Sequence, residues 1–308
     1  MTFDEDVHFR HSGWLRDRRR VWDALREVFP DSTRTKRFAD CGSNAWVVRN
    51  EDDPSQFAIV SDHCRDRFCR PCAGFRGRVI AHNVADYLRN RPYRFVTITI
   101  KTTGLTLKEG VDKLYRCFAR LRRSRLWTAK VQGGCAVCEI LPRSAGTEWH
   151  PHLHLITEGK YLPVQPLRKL WMQITGDSFI IDVAMGKDAD AAAAYVSKYI
   201  TKPFDDGTTR NPVRLIEALE ALHGRRLVST FGSWRGQRLT EFHPSGIWVK
   251  VTPLGVLRLK ALRGDPDARE LYDFLVRTGA NRNLPQPDTP APWPAFTDSP
   301  PGTFRVPA

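Results

Sequence analysis

Apolar positions along the first ninety residues recur at more than one period. Leu15, Val21, Trp22, Leu25 and Phe29 fall at helical spacing within residues 12–29, and Arg16, Arg18, Arg19 and Arg20 stay mostly off that stripe. A basic amphipathic helix is predicted there, its arginines forming a solvated face or, alternatively, touching phosphate. Two short β-like runs in FADCGSNAWVV and FAIVSDHC flank the polar RNEDDPSQ, and FRGRVIAHNVADYLRN reads as a helix stopped by Pro92.

From Tyr93 the alternation is clearer. YRFVTITIKTT predicts a strand with Thr97 and Thr99 on one face, and LKEGVDKLYRCFARLRRSRLW a helix. KVQGGCAVCEILPRSAGTEWHPHLHLIT predicts two strands around a turn at RSAG. PLRKLWMQITG is a helix closed by Gly176, SFIIDVAM a strand, and DADAAAAYVSKYITK a helix ended by Pro203. The order βαββαβα predicts an α+β fold whose central antiparallel sheet is of ferredoxin-like or RNA-recognition-motif-like type. Further on come a helix around Pro212 to His223, a short strand GIWVKV, and helices at LGVLRLKAL and DARELYDFLVRTG. A Pro-rich tail without apolar periodicity closes the chain and is expected to be disordered or extended. The expected division is an N-terminal helix with a cysteine module (1–92), a core (93–205), a mainly helical extension (206–279) and the tail (280–308).

Charge changes the picture. Across 308 residues, 48 Lys and Arg stand against 34 Asp and Glu, a formal +14, which favours a polyanionic partner such as nucleic acid or an acidic membrane surface. The acidic start MTFDEDVHF lacks the pattern of a secretory signal, and no run is long and apolar enough to span a bilayer, so a cytoplasmic protein with no membrane association is expected. Seven cysteines, an odd number, argue for metal binding or buried thiols over a disulfide framework. Cys64, Cys69 and Cys72 in CRDRFCRPC, with Cys41 upstream, can form a four-thiolate structural Zn2+ site, with His63 as a substitute ligand. Cys135 and Cys138, three apart on one strand, face opposite sides and read as packing residues, and Cys117 as core.

Chemistry concentrates at EWHPHLH. Strand side chains alternate, so His150, His152 and His154 share one face, a pattern hard to explain as packing because each buried imidazole needs partners for its ring nitrogens. A metallo-β-lactamase-like site would place an aspartate where this chain has Ile156, and the chain lacks the βα repeats of an amidohydrolase barrel. A carboxylate is needed to complete a two-histidine, one-carboxylate site, and Glu139 and Glu148 both qualify. In the alanine-rich helix, Tyr195 and Tyr199 are four apart on one face with Lys198 beside them; alone, that spacing is more often a packed amphipathic face.

FVTITI, HPHLH and YVSKY in this order resemble the three motifs of the HUH endonucleases, specifically rolling-circle replication initiators of plasmids and single-stranded DNA phages. The resemblance covers about residues 95–202. It implies an HUH nuclease fold in which His152 and His154 bind Mg2+ or Mn2+, Glu139 is the further ligand, His150 stands outside the motif, and Tyr195 and Tyr199 are the nucleophiles of a two-tyrosine member. Lys198 would stabilise the phenolate or the phosphate. The implied activity is site-specific nicking and strand transfer on single-stranded DNA at a replication origin through a 5′-phosphotyrosine. Similar cysteine modules precede the nuclease in many plasmid initiators and in related transposases, so a two-tyrosine rolling-circle transposase is the nearest alternative. A non-catalytic zinc protein that binds nucleic acid is the second. The chain has no G-x-x-x-x-G-K-[ST] stretch, so a host helicase is the expected partner. Two stretches mixing arginine with aromatics, ARLRRSRLW and GRRLVSTFGSWRGQR, supply the DNA-binding candidates Arg122, Arg123, Arg125, Arg225, Arg226, Trp234 and Arg235.

Overall fold

The computed structural model describes residues 15–142, 148–201, 206–241, 246–278 and 303–305. The expected turn at RSAG, Pro203 and nearly all of the Pro-rich tail lie outside them. The fold is α+β with antiparallel sheets, and it divides into two compact units that do not follow the linear boundaries expected from the sequence. Among the described residues, one comprises 15–22, 29–75, 240–241, 246–278 and 303–305, and the other comprises 23–28, 76–142, 148–201 and 206–239. The cause is non-local pairing at both ends of the supposed extension.

In the first unit, β1 (Trp46–Asn50) lies between β2 (Phe57–Val60) and a strand from far downstream, here designated β8 (Ile247–Pro253). Trp46 opposes Val60 on one side and Pro253 on the other. Val47 and Ile59 point to a core closed by Leu254, Leu257, Ala261 and Leu275, whereas Val48, Ala58 and Val60 point the other way. That alternation is what a strand buried on both faces requires. The N-terminal helix α1 (Leu15–Val28) is followed by an unanticipated short helix α2 (Thr33–Ala39), N-capped by Ser32, whose hydroxyl accepts from the Thr35 N–H.

The second unit is built on a five-stranded antiparallel sheet. Its strands are β3 (Tyr93–Thr99), β4 (Val131–Pro142), β5 (Trp149–Gly159), β6 (Ile181–Met185) and β7 (Val228–Gly232), in the order β6-β3-β5-β4-β7. One face carries Val96, Ile98, Leu153, Leu155, Ala136, Cys138 and Ile140, all buried. Helices α4 (Leu107–Arg123) and α6 (Val164–Thr175) pack together, and α4 lies on β5. The α4 stripe Leu107, Val111, Leu114, Phe118 and Leu121 is fully apolar, and a capping box between Thr106 and Glu109 starts it. Short α5 (Arg125–Lys130) follows α4. Gly176, at φ 80, ends α6 in the left-handed conformation that favours glycine.

The opposite face carries Tyr93, Phe95, Thr97, Thr99, Ile156, Val137 and Cys135. It is covered by the end of α3 (Arg70–Leu88), through Ile80, Val84 and Leu88, and by α7 (Ala189–Thr201), through Ala192, Val196 and Ile200. Burying each large side chain of that stripe contributes about 1.5–3 kcal/mol. Asp188 starts α7 by accepting from the Ala191 N–H, and the Tyr93 hydroxyl donates to the Asp188 carbonyl. Short α8 (Asp206–Arg210) and α9 (Pro212–Ala221) lead into β7; α10 (Leu254–Leu262) and α11 (Pro266–Thr278) belong to the first unit, where β9 (Thr303–Arg305) pairs with β8.

Within GRRLVSTFGSWRGQR, residues 228–232 form β7, and the turn after it corrects one candidate of that stretch. Trp234 is fully buried, and its indole N–H donates to Glu158 at 2.9 Å, so it is core and presents no ring for a base to stack on. Trp234→Ala is expected to cost about 3–5 kcal/mol, read as a fall of roughly 10 °C in the melting temperature of the second unit.

Candidate active site and metal centre

The cysteine centre assembles from three separate segments of the first unit. Cys41 follows α2, Cys64 follows β2, and Cys69 and Cys72 enter α3, so the tight C-x-x-C places its second thiol on a helical first turn. All four are buried, and their sulfurs lie within 4.8 Å of one another. Three of the separations are 3.8 Å (Cys41 to Cys69), 3.5 Å (Cys41 to Cys72) and 3.6 Å (Cys64 to Cys72). A tetrahedron with Zn–S bonds of about 2.3 Å has edges of about 3.8 Å, so the spacing and the donor chemistry both fit zinc. The distances exceed a covalent S–S bond, and all seven cysteines are free thiols. His63 is not one of the four, although its Nδ1 approaches Cys72 Sγ to 3.5 Å.

Arg18 was expected on the solvated face of α1, and the structure buries it. Its Nη1 donates to Cys69 Sγ at 3.4 Å, its Nη2 donates to the Phe38 carbonyl at 3.0 Å, and the guanidinium sits 4.9 Å from the Phe38 ring centroid. Four thiolates around a dication leave two negative charges, and a buried guanidinium offsets one of them. Arg18→Met is therefore expected to speed zinc loss to a chromogenic chelator by about 10–100-fold without changing the number of bound ions.

The histidine face of the second unit is organised by register. Glu139 lies opposite His152, Thr99 opposite His152, and Thr97 opposite His154, so all of them share the face covered by α7. Of the two candidate carboxylates, Glu139 contacts a histidine of this row. His154 Nε2 lies 3.0 Å from Glu139 Oε2, whereas Glu148 precedes β5. At the other ring nitrogen, His154 Nδ1 lies 3.1 Å from the Tyr195 hydroxyl and 3.3 Å from Thr97 Oγ1, and those two oxygens are 3.2 Å apart. Tyr199 stacks on the His154 imidazole with centroids 3.5 Å apart and planes 8° apart. Both tyrosines of α7 thus converge on one imidazole, and exposed Lys198 holds its ammonium 5.1 Å from the Tyr199 ring centroid.

His152 stands slightly apart. Its ring centroid is 6.1 Å from that of His154 and 4.2 Å from that of His150, and its Nδ1 is buried with no hydrogen-bond partner. An orphaned imidazole nitrogen on a face with a carboxylate is a donor suited to a cation. The 3.0 Å between His154 Nε2 and Glu139 Oε2 equals the separation of adjacent ligands about 2.1 Å from an octahedral ion. His152, His154 and Glu139 do not, however, close into one tight group as the cysteines do; among the described residues only Cys41, Cys64, Cys69 and Cys72 do so.

Burial lowers the His152 imidazole to about 4, with His150 adding to the effect and Glu139 opposing it. The folded group stays neutral where an unfolded one, near 6.5, takes up a proton, so its contribution to stability is complete above pH 6.5 and lost as pH falls toward 4. A urea midpoint that declines across that window in metal-free protein, and declines less in His152→Gln, checks the sign. Burial also pushes the Tyr195 phenol up, against a lowering by the Thr97 hydroxyl.

Of the arginine candidates, Arg122 is half-buried over the Phe118 and Phe231 rings, at 5.0 and 5.8 Å, and burial together with Arg235 and Arg123 lowers its guanidinium. Residues more than a hundred positions apart therefore share one cationic patch. Arg225 is engaged by Asp112 at 2.5 Å; Arg123, Arg125, Arg226 and Arg235 are exposed. Sequence reasoning missed Thr97 as a site residue beyond its parity, and missed Arg18; Thr97 was legible from its place in the alternation, Arg18 was not. Among the described residues, no helix is long and apolar enough to cross a membrane. No protein-family model, curated protein or solved structure matches the chain.

Proposed function

We propose that the chain is a metal-dependent nicking and joining endonuclease of the HUH type that acts on single-stranded DNA at a replication origin, in the cytoplasm and with a host helicase. The observation that carries this reading is the convergence of Glu139, His154, Tyr195 and Tyr199, from two strands and a helix, on one face of the sheet. The strand order supports the ferredoxin-like reading: numbering β3, β4, β5 and β6 as 1 to 4, the sheet runs 4-1-3-2, with β7 added at the edge beside β4. The two helices of the repeat lie on the face away from the tyrosines.

His154 and Glu139, with His152, would hold Mg2+ or Mn2+, which supplies charge neutralisation at the scissile phosphate. A tyrosine phenol oxygen forms a bond to phosphorus, the bond from phosphorus to the 3′ oxygen breaks, and the phenolic proton leaves as the 3′ oxygen gains one. The phosphodiester energy is kept in the 5′-phosphotyrosine, so the reverse step rejoins DNA without a nucleotide cofactor. Lys198 and the patch of Arg122, Arg123 and Arg235 supply cations for the backbone. The cysteine centre is structural.

The test uses labelled single-stranded oligonucleotides tiling the DNA around the chain's own reading frame, incubated with purified protein and Mn2+ or Mg2+. A protein-linked band on a denaturing gel, lost with EDTA and in the Tyr195→Phe, Tyr199→Phe double variant, is expected. Binding without cleavage under either ion would favour a non-catalytic zinc protein, and cleavage surviving in the double variant would favour a hydrolytic nuclease.

A further inference from the structure

The two tyrosines of α7 stand in different relations to His154. The nitrogens of an imidazole diverge, so a partner of Nδ1 and a partner of Nε2 lie on different sides of the ring. Glu139 is at Nε2, the side that would face a cation; the Tyr195 hydroxyl is at Nδ1, behind the histidine. With Nε2 given to a metal, the ring proton would reside on Nδ1 and be donated to the Tyr195 oxygen, whose own proton would point to Thr97 Oγ1; with Nε2–H donated to Glu139, Nδ1 accepts from the Tyr195 hydroxyl, and in both cases the Tyr195 oxygen is held at Nδ1. Tyr195 is further pinned by Phe95, whose ring centroid is 4.2 Å from its own.

Tyr199 is placed otherwise. Its ring lies flat on the imidazole, it is half-exposed, and among the described residues no hydrogen bond engages its hydroxyl. A nucleophile needs a lone pair free to face phosphorus. The Tyr199 hydroxyl is open to make that approach, whereas the Tyr195 oxygen is held in a hydrogen-bonded triangle with His154 Nδ1 and Thr97, on the side of the ring away from Glu139.

We infer that the two tyrosines are not equivalent: Tyr199 makes the first attack on the scissile phosphate, and Tyr195, with Thr97, is a positioning pair that fixes the tautomer and plane of His154. This rests on the nicking and joining reading above. Tyr195 becomes available for a second transfer only after its bonds to His154 and Thr97 break. The hydrogen-bonded triangle therefore imposes an order on two chemically similar residues.

The direct test needs no variant. Wild-type protein is reacted with the tiled oligonucleotides and Mn2+, digested with nuclease and protease, and the nucleotide-bearing peptide is sequenced by mass spectrometry; the modification is expected on Tyr199. In parallel, free Mn2+ is followed by its electron paramagnetic resonance signal during titration of zinc-loaded protein. Tyr195→Phe and Thr97→Val are expected to weaken Mn2+ binding about 10–100-fold, with Thr97→Ser restoring it, and Tyr195→Phe still to form adduct when Mn2+ saturates. Tyr199→Phe should bind Mn2+ as wild type does and form no first adduct. Label on Tyr195 in wild type, or unchanged Mn2+ affinity in both Tyr195→Phe and Thr97→Val, overturns the inference while leaving the nuclease reading intact. Absence of any adduct in wild type overturns both.

Discussion

Cys72→Ser is expected to release the metal of the cysteine centre and to unfold the first unit. Cys72 lies 3.5 and 3.6 Å from Cys41 and Cys64, so its thiol forms two of the short edges of the sulfur tetrahedron. Apparent zinc binding by structural cysteine sites is about 10–16 kcal/mol, comparable to the roughly 5–15 kcal/mol by which a whole domain is stable. Losing one of four ligands therefore decides whether the segments bearing Cys41, Cys64 and Cys69 stay folded around one another. Without the ion, burial pushes the Cys64 and Cys69 thiols well up, so the centre would hold neutral thiols in place of thiolates. Metal analysis of wild type should give one zinc per chain at this centre, and Cys72→Ser none. Circular dichroism of the variant should show lost strand signal and a melt that no longer responds to added zinc. A Cys72→Ser protein that melts with wild type, or a wild type that purifies without zinc and folds fully, would show that the four thiols are only a buried core.

How far the sequence reaches is instructive at particular residues. The histidine row was legible because a period of two has one structural meaning, and the same holds for Thr97, which the register places opposite His154. The tyrosine row was legible because Ala192, Val196 and Ile200 set the buried stripe of α7 and put Tyr195 and Tyr199 one position before Val196 and Ile200, along the edge of that stripe. What the sequence could not reveal is pairing at long range. No local pattern tells that Trp46 opposes Pro253, so the first unit could not be seen to draw on both ends of the chain. Likewise, Val228–Gly232 is a five-residue strand inside an arginine, glycine and tryptophan-rich stretch whose composition speaks of nucleic acid; only its pairing with β4 identifies it. Arg18 illustrates the same limit for charge, since its partner is a sulfur 51 positions away. That Glu139 lies opposite His152 and contacts His154 needed a hairpin register that parity alone does not supply.

The second large effect is expected at His154. His154→Ala removes at once the partner of Glu139, the acceptor or donor to Tyr195 and Thr97, and the surface on which Tyr199 stacks. If the convergence serves nicking, adduct formation should fall by about 10³-fold, the scale seen when one preorganised electrostatic contact to a reacting group is lost. Glu139→Gln separates charge from shape: the amide still reaches Nε2, but its negative charge is gone, so cation binding should weaken and nicking drop by about 10²–10³-fold while the fold is kept. Stability moves in the opposite sense to activity. His154 is buried and engaged by polar groups from both ring nitrogens, an arrangement that costs desolvation and that an apolar residue of similar volume would not require. His154→Leu is therefore expected to melt at or above the wild-type temperature and to be inert, the signature of a residue retained for chemistry. Were the imidazole instead a structural hub, His154→Leu and Glu139→Gln would both lower the melting temperature and leave adduct formation in the surviving folded fraction at the wild-type rate. Thermal melts paired with adduct yield per folded molecule decide between the two.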